Sequence, residues 1–198
     1  KDATIREIHH RVKNNLQTVS ALLRLQSRRS SEEAVKVALA EAERRVQAIA
    51  TVHAALSQNV DESVDFDEVA RTIVRMAGAI ASTDHAVEVI TTGSFGTIQA
   101  DQAQALATVL NELVANSVEH GLADRDGLIE VRAEREGTSM TVTVADNGVG
   151  FVPGTPMSGL GTQIVHQMVR GELKGSIEWA PREGGGTLVT LHANLDPA

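Results

Sequence analysis

The sequence predicts an α+β protein, in which an N-terminal antiparallel helical hairpin precedes an α/β sandwich with helices on one face of a largely antiparallel sheet. Three observations carry this expectation. The first sixty residues repeat their apolar positions at steps of three and four, later segments alternate at steps of two, and the charge changes sign between the two parts. Residues 1–60 carry a net +4 and residues 61–198 a net −12. We therefore expect two units, 1–60 and 61–198, joined by the polar, acidic segment 57–66.

From Ala3 to about Arg28 no Gly or Pro interrupts the chain, and Ile5, Ile8, Val12, Leu16, Val19 and Leu22 or Leu23 form one apolar stripe. A capping box of Ser30 with Glu33 predicts a second helix, along which Val35, Leu39, Ala42, Val46, Ile49, Val52 and Leu56 continue the pattern. Two long helices joined so tightly must be antiparallel, and a lone hairpin encloses no core. The expected solution is a homodimeric four-helix bundle through residues 1–58; packing against the rest of its own chain is the alternative. Beyond the linker, a helix is predicted from Asp67 to about Ala81, a strand from Val87 to Thr92, and a helix from Asp101 to His120 ending at Gly121. Leu128–Glu134 and Met140–Ala145 read as strands paired across Gly137. A Gly/Pro-rich loop runs from Asn147 to Ser158. A helix follows from Gly159 to about Gly171, then strands near Ser176–Trp179 and Thr187–Ala193.

Composition narrows the function. The 198 residues are 42% hydrophobic and 22% charged, so a core can be buried, but aromatics amount to only 2%. Stacking on nucleic-acid bases is not expected, and the acidic larger part argues against direct nucleic-acid binding. There is no Cys, which removes thiolate metal sites and disulfides and fits a cytoplasmic location. No apolar run is long enough to span a bilayer. Without an initiator Met, and starting one residue before a helix, the chain reads as a piece whose upstream sensor domain is missing. Arg24, Arg28, Arg29, Arg44 and Arg45 read as solvated helix faces.

Four segments bear chemistry. Asn111-Glu112-Leu113-Val114-Ala115-Asn116 puts Glu112 and Asn116 on one helix face, where an amide oxygen can hold Mg²⁺ while the cation keeps waters and phosphates. Asp146-Asn147-Gly148-Val149-Gly150 follows a strand, so its carboxylate can accept from an adenine amino group beside a turn that glycines permit. Gly159-Leu160-Gly161-Thr162 opens a helix whose free N–H groups suit phosphate oxygens. Gly184-Gly185-Gly186-Thr187 leads into the last strand.

These boxes, in this order over roughly residues 65–195, resemble the GHKL ATPase superfamily of histidine kinases, gyrase-type ATPases and anti-sigma serine kinases. The resemblance implies ATP and Mg²⁺ as cofactors. It assigns Mg²⁺ to Asn116, adenine to Asp146 with Gly148 and Gly150 around it, the phosphates to Gly159, Leu160 and Gly161, and a water-mediated base contact to Thr187. No Walker P-loop is present.

The first helix chooses among the relatives, because His9-His10-Arg11-Val12-Lys13-Asn14-Asn15-Leu16 is similar to the phosphoacceptor box of the HisKA_2 type of histidine kinase. By that likeness His10 is the acceptor, and the chain transfers the ATP γ-phosphoryl group to His10 and then to an Asp of a response-regulator receiver domain, regulators with an RNA-binding output included. His10 projects away from the stripe with Asn14 on its own face, whereas His9 lies nearer the buried edge. An imidazole near neutral pH offers a ring-nitrogen lone pair for attack, and phosphoryl transfer then needs positioning and charge neutralisation, to which Lys13 could contribute.

Two departures from the pattern stand out. Arg11 follows the acceptor where an acid is common, and residues 152–158 hold no Lys or Arg for the γ-phosphate. The base must come from elsewhere. Glu112 is the chosen candidate and Glu7, which could instead pair with Arg11, is the rival. The competing readings are a serine kinase of the anti-sigma type and a bundle module with a decayed nucleotide site.

Overall fold

The structure, a computed structural model, describes residues 2–59, 61–81, 85–154 and 159–197. Two helices, α1 (Asp2–Arg29) and α2 (Glu33–Leu56), form the expected antiparallel hairpin. Polar ties set their register. Gln47 donates to the Ser20 hydroxyl at 2.6 Å, and Arg24 closes on the Glu43 carboxylate through Nε at 2.9 Å. The capping box is not formed. Glu32 is the N-cap, and Ser30 instead accepts from the Glu32 N–H at 3.3 Å, one residue too early to reach the first helical turn.

The second half of α2 turns its other side to the body of the protein. Arg44, Ala48, Val52 and Leu56 recur every four residues and all are buried, forming a row that continues into the main core. The apolar surface of α2 is thus partly covered by its own chain, which was the alternative to the bundle. What stays open on the hairpin is Ile8, Val19, Leu22 and Leu25 on α1 and Val35 and Val37 near the tip of α2.

The body contains α3 (Phe66–Ala81), α4 (Ala100–Asn116) and α5 (Leu160–Arg170), packed on a five-stranded sheet. Its strands are β2 (Val87–Gly93), β4 (Gly127–Glu136), β5 (Ser139–Asp146), β6 (Ser176–Pro181) and β7 (Thr187–Asn194), in the order β2-β4-β5-β7-β6. Only the β2–β4 pair is parallel. Alternation holds as expected: Ile129, Val131 and Ala133 of β4 are buried beneath the helices while Glu130, Arg132 and Glu134 face water. With few aromatics the core is aliphatic, centred on Leu106, Leu110 and Leu113 of α4, with the edge-to-face pair Phe66–Phe95 at one end.

Two short strands lay beyond the sequence reading. β1 (Ser63–Asp65), inside the segment taken as a linker, pairs antiparallel with β3 (Thr97–Gln99). Each is only three residues long, too short for alternation to register. The predicted helix through His120 also changes form. After Asn116 the chain makes one wide turn, Ser117–Gly121, closed by the Leu122 N–H on the Ser117 carbonyl at 3.0 Å.

Leu56 is 2% exposed where α2 meets the body. Leu56→Ala should therefore cost about 2–5 kcal/mol. Equilibrium urea unfolding measures this, and a loss below about 1 kcal/mol would mean that α2 does not pack there in solution.

Candidate functional site

β5 sends Met140, Val142 and Val144 inward, and Asp146 at its end keeps that parity, so a carboxylate only 3% exposed lies beneath the helices. The register of β5 on β7, with Ala145 opposite Leu188, brings Thr187 alongside it. The Gly148 and Thr187 N–H groups donate to Asp146 Oδ1 at 2.9 and 3.3 Å. These bonds hold the carboxylate in one orientation. Glycine is required at 148 because a β-carbon there would run into the Gly121 carbonyl. The Val149 N–H donates to the same carbonyl at 3.0 Å, so the wide turn after α4 serves as the seat for the 146–150 loop.

α4 and α5 form the facing walls of a pocket of about 360 Å³. Glu112, Asn116, Asp146, Gly150, Gly159, Leu160, Gly161 and Thr187 all line it, and buried Gly148 lies behind the loop. The first turn of α5 has Gly159 as its N-cap with no side-chain cap, which leaves donors at the pocket wall. Segment 155–158 lies outside the described residues.

Several pocket residues were not foreseen. Trp179 of β6 enters from the sheet and packs against His166 with ring centroids 5.3 Å apart, and Phe151, Glu119 and His120 also line the space. Most consequential are Arg44 and Arg45, which the sequence reading left in solvent. Arg44 is 5% exposed and donates to the Asn111 carbonyl at 3.2 Å. Arg45 makes a fork on Glu112, Nε to Oε1 at 2.5 Å and Nη2 to Oε2 at 3.3 Å. The i, i+4 row Arg44, Ala48, Val52, Leu56 was the available signal, since an arginine heading a row of apolar residues shares their buried side.

The electrostatics follow from this packing. Burial would depress the Arg45 guanidinium, but the Glu112 hydrogen bond and the charges of Glu112, Glu41 and Glu119 outweigh it and raise its pKa. Glu119 is pushed above the ordinary carboxylate range by burial, with Glu41 and Glu112 adding to the effect and Arg44 and His120 opposing it.

His10 stands apart from the pocket, exposed on α1, with Asn14 Nδ2 3.2 Å from its Nδ1. His9 points the other way and is 9% exposed, its Nδ1 3.0 Å from Nδ1 of His53. Burial, and then the proximity of His9, lower the pKa of His53, with a hydrogen bond to Gln104 opposing them. Glu7 is bonded to Arg11 Nε at 2.8 Å, and this bond holds its carboxyl below the usual range. No group of three or more His, Asp or Glu among the described residues could hold a metal ion by itself. The amide oxygen of Asn116, which lines the pocket, suits Mg²⁺ only as one ligand beside phosphates and water.

Comparison with known proteins places both parts. Residues 7–80 match the HisKA_2 family, described as "Histidine kinase", and residues 101–197 match HATPase_c, "Histidine kinase-, DNA gyrase B-, and HSP90-like ATPase". The chain is 46% identical over 200 residues to "Sensor histidine kinase PdtaS" of Mycolicibacterium smegmatis, covering 98% of this chain and 40% of that protein. It is likewise 46% identical to PdtaS of Mycobacterium tuberculosis, covering 96% of this chain and 39% of that one. The chain thus spans about two-fifths of the length of these relatives. Among solved structures, the histidine kinase domain of the Erythrobacter litoralis EL346 blue-light activated histidine kinase has the same fold, with a TM-score of 0.67 at 23% identity over 98% of this chain and 92% of that one. Since its two parts match the two family models in order, and its near-complete length aligns with sensor kinases at 46% identity, the chain belongs to the histidine kinase family of the HisKA_2 type.

Proposed function

We propose that this chain is the kinase core of a two-component sensor: it binds Mg-ATP in the α4–β5–α5 pocket, phosphorylates His10, and passes the phosphoryl group to an Asp of a receiver domain. The observation that carries this reading is the pairing, in one chain, of an exposed His10 held by Asn14 with a pocket built on buried Asp146. An anti-sigma type of serine kinase would leave α1 and its histidine without a role. A sensor domain upstream, a homodimer through residues 1–58 and a cytoplasmic setting complete the proposal. The exposed Ile8, Val19, Leu22 and Leu25 on α1 are the surface such a dimer would cover, and no helix among the described residues is long and apolar enough to cross a membrane.

The chemistry assigns each residue a task. Asp146, fixed by the Gly148 and Thr187 amides, accepts from the adenine amino group, and Gly148 and Gly150 let the backbone pass close to the base. Gly159, Leu160 and Gly161 offer phosphates the open turn of α5. Asn116 donates its amide oxygen to Mg²⁺, which when bound neutralises charge on the phosphates. His10, exposed on α1, supplies the attacking lone pair from a ring nitrogen. That nitrogen attacks the γ-phosphorus, an N–P bond replaces the bond to the leaving ADP oxygen, and the imidazole proton passes to a carboxylate. Glu112 is the assigned base because it lines the pocket with Asn116, whereas Glu7 lies on exposed α1; Arg45 must release Glu112 for it to act, and Glu7 is itself bound to Arg11.

His10 does not line the pocket, whereas α2 does. Arg45 and His53 are separated by about 12 Å along α2, and His53 marks the level of His9. Transfer therefore requires the hairpin to shift on the body, or the pocket to receive His10 from a second copy.

Incubation with labelled ATP tests the function, the expected product being an acid-labile phosphate on His10. His10→Gln should abolish labelling with ATP affinity within about twofold of the parent, since the residue is remote from the pocket; persistent labelling would move the acceptor to His9. Glu112→Gln should label His10 about 10²–10⁴ more slowly while still binding Mg-ATP. Asn116→Ala should lose both binding and labelling. Near-normal labelling by Glu112→Gln, with a large loss in Glu7→Gln, would transfer the role of base to Glu7.

A further inference from the structure

We propose that Arg45, carried on the hairpin, binds the terminal phosphate of the nucleotide and gives up Glu112 to do so. This rests on the reading of the pocket as an ATP site and adds to it a residue from outside the ATP-binding boxes.

Position is the first argument. Arg45 belongs to α2, yet its guanidinium reaches across to α4 and ends beside the opening turn of α5. A β-carbon placed on Gly161 would stand 3.8 Å from Arg45 Nη2 and 2.7 Å from Glu112 Oε2. The arginine fork and the Glu112 carboxylate therefore lie directly against the backbone where phosphate oxygens are expected, and the missing side chain at 161 is what leaves them room.

Charge is the second argument. The loop and helix start that enclose the pocket, 147–154 and 159–163, contain no Lys or Arg, so the phosphates draw no cationic side chain from them. The arginines lining the pocket are Arg44 and Arg45, both from α2. Arg44 donates to the Asn111 carbonyl and stands 4.0 Å from Glu112, while the partners of Arg45 among the described residues are the Glu112 and Glu41 carboxylates. A terminal phosphate arriving beside Glu112 without a cation between them would set two anions against each other. Arg45 already stands at that point.

The exchange is chemically even, because a guanidinium fork fits a phosphate as well as a carboxylate and a triphosphate brings more charge than a carboxylate does. It also frees Glu112, four residues from Asn116, to accept a proton. Since ADP lacks the phosphate in question, the hairpin would be tied to the body in different ways with ATP and with ADP.

The test is calorimetric titration of the whole chain with Mg-ATP and with Mg-ADP. In Arg45→Met the preference for ATP over ADP should fall at least tenfold, with ADP affinity within about twofold of the parent; Arg45→Lys should restore part of it. The double variant R45M with E112Q leaves no orphaned buried carboxylate and should show the same loss of preference, so poor folding of the single variant does not blunt the test. A parallel change in both affinities, or tighter ATP binding in R45M, would make Arg45 a plain structural contact and overturn the proposal. Parent protein that binds neither nucleotide would overturn the ATP reading as well, whereas a parent that binds both, with its preference unchanged in R45M, sinks this inference alone.

Discussion

The ion pair between Arg45 of α2 and Glu112 of α4 joins the two parts of this protein at the place where the chemistry would occur. Glu112 is 1% exposed, and a carboxylate so buried needs a partner, which among the described residues comes from α2. The guanidinium fork satisfies both oxygens, Arg44 lies 4.0 Å away, and the buried row Ala48, Val52, Leu56 holds the same helix against the body. Removing one partner of a buried pair typically costs about 3–5 kcal/mol, so the residue proposed as the base also governs how the hairpin sits.

The other fixed point of the pocket is a matter of parity. Residues facing the helices occur at every second position of β5, and Asp146 falls on that series at the strand's last residue. A carboxylate among apolar neighbours would be costly, and it is stabilised by the Gly148 and Thr187 amides. The wide turn at Ser117–Gly121 is part of the same construction, because it brings the Gly121 carbonyl to the Val149 N–H. Sequence, strand register and a single non-α turn thus converge on one small wall.

Much of this was legible in the sequence. Long uninterrupted 3.6-residue periodicity located α1 and α2, strict alternation located β4 and β5, and the boxes around Asn116, Asp146 and Gly161 named residues that line one pocket. Some features were hidden for physical reasons. β1 and β3 are stabilised by each other, a tertiary pairing that three residues cannot announce. The role of Arg44 and Arg45 depends on which side of α2 meets the body, and periodicity within one helix does not say what lies opposite. The failed Ser30 cap has a similar origin: the motif was present, but the turn placed Glu32 at the N-cap. His9 and His10 show the reverse case. Adjacent in sequence, they lie on different sides of α1, His10 exposed as helix geometry suggested and His9 buried against His53, a partner that the sequence did not announce.

Hairpin and body meet through Arg45 and Glu112, and a double-mutant cycle on stability measures that coupling directly. Urea unfolding of the parent, R45M, E112Q and the double variant at low salt should give a double variant less destabilised than the sum of the singles, with a coupling of about 1.5–3 kcal/mol. Additive losses, with coupling within about 0.5 kcal/mol of zero, would mean that the two side chains do not meet in solution and that the hairpin is held by its apolar row alone.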